Sequence, residues 1–224
     1  MLSVSLPPPI RKLKLCYVTD RKALAGSAEE QVRLLLGRIE DAARTGVDWV
    51  QIREKDLSGR ELMELVKEAL RRVPASCRIL VNDRLDVACV AGAGGVHLGE
   101  RSLPVEEAKL LLRDRKFAED FLLGVSAHSM EAARAAEANG ADYVIFGPVF
   151  PTPSKLAYGL PQGVEKLGDL CRSVSIPVIA IGGITAENAR SCVEAGAAGI
   201  AAIRLFQDSG DMVAVANSLS LLSR

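Results

Sequence analysis

The chain has 224 residues, 49% of them hydrophobic, with 28 basic and 28 acidic side chains and five cysteines. A chain of this length can bury roughly 70% of its unfolded surface, so a core forms without staples, and its balanced charge excludes binding driven by attraction to nucleic acid or an anionic membrane. Cys16, Cys77, Cys89, Cys171 and Cys192 are odd in number and unpaired in spacing, which excludes a disulfide framework and a structural zinc site.

Residues 1–12 hold three prolines among a few apolar residues, too interrupted for a signal peptide or a membrane span. They read as an N-terminal extension of one domain spanning 1–224, with the cytoplasm as the expected compartment. From there short apolar runs alternate with helical patterns. LKLCYVTD from Leu13 precedes a helix at 28–45, DWVQIRE from Asp48 a helix at 59–73, and RILVND from Arg78 a helix at 85–91. GVHLG from Gly95 precedes 105–113, FLLGVS from Phe121 precedes 130–139, and ADYVIFG from Ala141 precedes 164–174. PVIAIGG from Pro177 and AGIAAIRLF from Ala198 precede helices at 186–195 and 212–222. Successive rather than alternate apolar residues mark strands buried on both faces, which need helical cover. Ser58, Ser129 and Thr185 are candidate N-caps, and Gly46, Gly140 and Gly196 close helices in the left-handed conformation. Eight such repeats in this length predict α/β architecture, a single (β/α)8 TIM barrel.

That fold puts its site where strands end and loops begin. Asp20, Arg53 to Lys55, Asn82 to Arg84, His97, Ser126, His128, Thr152 to Lys155, Gly182, Gly183 and Arg204 all fall there. Gly182 and Gly183, between a buried strand and a helix predicted from Thr185, can turn backbone N–H groups toward a phosphate; a plain tight turn is the alternative. Arg53 and Lys55 share a side if their strand stays extended and suit a second, more highly charged anion, against a solvated salt bridge with Glu54. Asp83 beside Asn82 makes half of a magnesium site. Thr152, Ser154 and Lys155, in a segment rich in proline, can cover a ligand. His128 is placed for acid/base work, and His97 either shares it or packs beneath the rim.

The segments QIREK, VNDR, GVHLGE, GVSAHS, ADYVIFGPVFPTPSK, IPVIAIGGIT and AGAAGIAAI together resemble the thiamine phosphate synthase family, in its order, over about residues 17–206. The resemblance implies coupling of hydroxymethylpyrimidine pyrophosphate with hydroxyethylthiazole phosphate, giving thiamine phosphate and pyrophosphate with the help of Mg2+. It implies that Arg53, Lys55, Asn82 and Lys155 hold pyrophosphate, Asp83 binds magnesium, and Gln51 and Ser126 face the pyrimidine. Thr152, Ser154 and the backbone around Gly182 and Gly183 would hold thiazole phosphate. Catalysis would fall to Lys155, Ser126, His128 and Arg53.

Two positions depart from the family pattern. Ser102 stands where a second magnesium aspartate is usual, with Glu100 two residues earlier as a candidate replacement ligand. Arg204 stands where a small hydroxyl residue is usual, and could hold phosphate or obstruct it. These departures keep two alternatives open: a TenI-type thiazole tautomerase, which needs no metal and uses His128 as acid/base, and an inactive barrel that binds thiamine precursors and regulates a partner. The expected partners are phosphorylated pyrimidine and thiazole molecules, without nucleic acid or membrane, and a homodimer by default.

Overall fold

The structure, a computed structural model, describes residues 12–113, 120–152 and 160–222. Its strands are β1 (Lys14–Val18), β2 (Trp49–Ile52), β3 (Arg78–Asn82), β4 (Gly95–Leu98), β5 (Leu122–Ala127), β6 (Tyr143–Phe146), β7 (Val178–Ile181) and β8 (Gly199–Ala202). Each pairs in parallel with the next, and β8 returns to β1 with Lys14 opposite Gly199, closing the barrel. The helices between them are α1 (Ala28–Arg44), α2 (Gly59–Arg72), α3 (Leu85–Ala91), α4 (Val105–Arg113), α5 (Met130–Ala138), α6 (Gly163–Ser173) and α7 (Ala189–Glu194). A short α8 (Arg204–Gln207) and then α9 (Met212–Ser220) follow β8.

Because side chains alternate across a strand, every strand feeds two cores. One parity points into the lumen, where Cys16, Val18, Trp49, Leu80, Tyr143, Ile145, Ile179 and Ala201 pack together. The other faces the helices, where Tyr17, Val50, Ile79, Val96 and Leu98 meet Leu35, Ile39, Leu65 and Val66. The same parity brings Gln51, Asn82, His97 and Ser126 inward, one layer above the apolar lumen. Polar residues at these four strand ends therefore converge without any long-range signal in the sequence.

Helix starts follow local chemistry. Ser27 and Ser58 form capping boxes with Glu30 and Glu61, and the Ser129 hydroxyl accepts from the Ala132 amide at 3.1 Å. Gly46, Gly140 and Gly196 take the positive φ expected of them. Thr185 caps the turn that leads into α7: its amide donates to Asn188 Oδ1 at 2.8 Å and its Oγ1 accepts the Asn188 amide at 3.3 Å, the reciprocal pattern of a capping box, and the regular helix begins at Ala189. One expectation is corrected: AGIAAIRLF is not strand throughout, because β8 stops at Ala202 and Arg204, two residues beyond it, opens α8.

Candidate active site

Asp83 follows β3 directly with φ at 62°, the only positive φ outside glycine among the described residues. Asp tolerates this left-handed region better than most residues, and the turn aims its carboxylate at the loop after β4. Oδ1 there accepts the Gly99 amide at 3.2 Å and the Ser102 hydroxyl, while Oδ2 accepts Asn82 Nδ2 at 2.7 Å. Burial works to raise the Asp83 pKa, but the bonds from Ser102 and Gly99, the charge of Lys55 and the bond from Asn82 outweigh it and hold the group below its usual value. It is a carboxylate at neutral pH.

That charge orders its neighbours. A carboxylate only accepts, so Asn82 must present its amide nitrogen to Asp83 and its oxygen away from it. The oxygen is met by Gln51 Nε2 at 3.0 Å. Gln51 Oε1 is consequently turned elsewhere, buried and without a hydrogen-bond partner among the described residues, with the residue only 3% exposed. An orphaned acceptor of this kind costs about 1–3 kcal/mol unless something donates to it.

Glu54 does not form the salt bridge with Arg53 and Lys55 that was the alternative reading of QIREK. It is buried beneath them, accepting Thr19 Oγ1 at 2.6 Å, the Arg21 amide at 3.2 Å from both oxygens, and Arg21 Nη1 at 3.2 Å. Arg21 also grips Asp56 with two bonds of 2.7 Å. With Glu54 satisfied, neither Arg53 nor Lys55 has a hydrogen-bonding or ion-paired side-chain partner among the described residues. Both cations stand at the same rim as Asn82 and Asp83, and Lys55, Asn82, Asp83, Glu54 and Arg84 line a cavity of about 260 Å³.

His97 is 2% exposed. Its Nε2 lies 2.9 Å from Ser126 Oγ and its Nδ1 3.2 Å from the Tyr143 hydroxyl. Burial, against the charge of Asp83 and with that of Arg53, lowers its pKa from 6.5 to about 4, so the ring is neutral at pH 7. It packs beneath the rim and orients Ser126. His128, in the turn after β5, is exposed, and its Nδ1–H donates to the Gly147 carbonyl at 2.5 Å. Its Nε2 has no hydrogen-bond partner among the described residues.

Across the barrel Gly182 and Gly183 take φ of 99° and 65°, and a Cβ on either would collide with Pro148 or with Phe150 and Pro151. Glycine is required at both positions. Arg204 is exposed at the first turn of α8. Thr152 is described and half-buried; Ser154 and Lys155 lie outside the described residues. Glu100 is exposed and unpaired among the described residues, while Ser102 braces Asp83. No group of three or more His, Cys, Asp or Glu side chains clusters as a metal site among the described residues.

Sequence reasoning missed several contributors. Tyr17 donates to Gln207 Oε1 at 2.8 Å, and Gln207 also binds the backbone of Asp20, accepting at 3.2 Å and donating at 2.8 Å. This clamp fixes α8 against the end of β1. Tyr143, Thr19 and Arg21 likewise act only through residues distant in sequence; the one local hint was a glutamine following an apolar run.

A family described as thiamine monophosphate synthase matches residues 15–206. The chain is similar to a Methanoculleus marisnigri protein named thiamine-phosphate synthase, 44% identical over 180 residues covering 80% of this chain and 82% of that one. It is similar to a Chlorobium limicola protein of the same name, 40% identical over 207 residues, covering 92% and 91%. A solved structure titled thiamine phosphate pyrophosphorylase from Pyrococcus furiosus superposes with a TM-score of 0.79 at 33% identity, over 95% of this chain and 96% of that one.

Proposed function

This chain belongs to the thiamine monophosphate synthase family, and from that premise we propose that it joins hydroxymethylpyrimidine pyrophosphate to hydroxyethylthiazole phosphate, releasing pyrophosphate. What supports the substrates most is the orphaned Gln51 Oε1. It is an acceptor held in place by Asp83 and Asn82, on the rim that also carries Arg53 and Lys55, which have no side-chain partner among the described residues. An aminopyrimidine supplies the missing N–H donor, and its diphosphate extends toward Arg53 and Lys55.

The chemistry asked of the protein is electrostatic. As the carbon–oxygen bond to pyrophosphate breaks, negative charge grows on the leaving group, and Arg53 and Lys55 neutralise it. The pyrimidine carbocation left behind is captured by the thiazole nitrogen. Backbone N–H groups around Gly182 and Gly183, with the start of α8, hold the thiazole phosphate, as the loops after β7 and β8 do in barrels generally. Arg204, on that short helix, reaches the same phosphate. Thr152 lies in the loop after β6, and the family resemblance assigns it, with Ser154 and Lys155, to holding the phosphorylated substrates.

The donors at Asp83 suit magnesium carried by a diphosphate. A carboxylate offers about four acceptor positions and three are taken; magnesium commonly uses one or two carboxylates with phosphate oxygens and water. Magnesium bound there would supply Lewis-acid neutralisation of the diphosphate. Ser102 donates its only proton to Asp83, so Glu100 is the remaining candidate for a second anionic ligand.

Purified protein incubated with both precursors should release pyrophosphate only when magnesium is present. Glu100→Gln should then raise the magnesium concentration needed for half-maximal rate. An unchanged requirement removes Glu100 from the metal site, and absence of turnover removes the synthase reading. The His128 Nε2, with no hydrogen-bond partner among the described residues, favours a second reading, thiazole tautomerisation, which metal-free proton exchange into a carboxythiazole phosphate would reveal.

A further inference from the structure

Tyr143 is 1% exposed, with its ring tilted against Trp49 at 4.8 Å and stacked on His97 at 5.7 Å between centroids. Among the described residues its one hydrogen-bonding partner is His97 Nδ1, at 3.2 Å. Two arrangements satisfy that distance. If Nδ1 carries the proton, the phenol oxygen accepts it and the buried phenol proton has nowhere to go. If Nδ1 is bare, the phenol donates to it, and only spare lone pairs remain unused. A buried donor without an acceptor is the costlier outcome, since an oxygen with one bond is already served.

The second arrangement has a consequence at the site. A neutral imidazole carries one proton, and with Nδ1 bare it sits on Nε2. Nε2–H then donates to Ser126 Oγ across 2.9 Å. Ser126 cannot return its own proton to that nitrogen, so the hydroxyl hydrogen points away from His97. In the opposite tautomer Ser126 would donate to His97 and offer the site only lone pairs.

We propose that Tyr143 is a positioning residue that, by selecting the Nε2–H tautomer of His97, turns Ser126 into a hydrogen-bond donor toward an acceptor atom of the bound ligand. That acceptor is a pyrimidine ring nitrogen or a diphosphate oxygen; this part rests on the proposed function, whereas the tautomer does not.

The chain has only two histidines, which makes the tautomer directly readable. Two-bond proton–nitrogen correlation spectra of 15N-labelled full-length protein at neutral pH should show His97 protonated at Nε2 alone. His128, which donates from Nδ1 to Gly147, should show the opposite pattern and acts as an internal control. His97 protonated at Nδ1, or at both nitrogens, would overturn the proposal.

Tyr143→Phe keeps the ring and removes only the hydroxyl. It should let His97 sample both tautomers and weaken one of two probes, the hydroxymethylpyrimidine alcohol or inorganic pyrophosphate with magnesium, by about tenfold. The probe affected identifies the acceptor. Ser126→Ala should weaken that same probe by a similar factor, with the double variant no worse than either single. An unchanged His97 spectrum or unchanged binding of both probes in Tyr143→Phe would overturn the relay. Failure of wild-type protein to bind either probe, with the tautomer as stated and lost in Tyr143→Phe, supports the tautomer selection and defeats the substrate assignment.

Discussion

Asp83 shows how one charge decides what its neighbours can recognise. The carboxylate accepts from Asn82, Asn82 in turn from Gln51, and the polarity of both amides follows. His97 is the neutral counterpart in the same layer, and its burial carries a cost that depends on pH. Its folded pKa, about 4, lies below the unfolded 6.5, so between these values the unfolded chain binds more protons. Stability is therefore full above pH 6.5 and falls as pH drops toward 4. The denaturant midpoint, followed by the fluorescence of the single Trp49, should decline over that interval by the equivalent of a few kcal/mol. His97→Asn should flatten the decline; an equal slope in the variant would assign it to carboxylates instead.

The loop after β7 is positioned by backbone conformation more than by any side chain. Asn188 Nδ2 holds the Gly183 carbonyl at 3.0 Å, and the reciprocal bonds between Thr185 and Asn188 fix the turn that joins the loop to α7. Gly183 is left with φ at 65° and no room for a side chain. The left-handed conformation alone costs an L-residue roughly 1–2 kcal/mol, to which steric overlap with Phe150 adds. Gly183→Ala should accordingly raise the KM for thiazole phosphate about tenfold or more, with the KM for the pyrimidine substrate little changed. Equal loss for both substrates would mean that the barrel, not the loop, had moved. At the neighbouring rim, the Gln207 clamp makes α8 a rigid platform, which a bare four-residue helix would not be.

The closed barrel separates buried thiols from the working rim. Cys16 is in the lumen with 0% exposure, and burial pushes its pKa up to about 12. Burial likewise raises Cys77 and Cys192 to about 12, and Cys171 to about 11. Since the thiolate is the reactive form, native protein at pH 8 should react slowly with an aromatic disulfide. The half-buried Cys89 and Cys171 should react ahead of the others, and Cys16 only when denaturant opens the barrel. Prompt modification of Cys16 in buffer would show a barrel looser than the β1 to β8 closure describes. No helix among the described residues is long and apolar enough to cross a membrane.

Strand and helix alternation, the caps at Ser58 and Ser129, the closing glycines and the gathering of polar residues at strand ends are local, periodic properties, and the amino-acid order alone determined them. So did the pairing of QIREK with VNDR and IGGI that identifies the family. Tertiary structure decided the partners: Glu54 went to Arg21 rather than to Arg53, Ser102 became a brace for Asp83, His97 became neutral between Tyr143 and Ser126, and Gln207 locked α8 to β1. Each depends on which side chains meet across strands or loops far apart in the chain. A hydrogen bond has a direction and a carboxylate a desolvation cost, and both are set by those neighbours, which no periodicity along the chain can name.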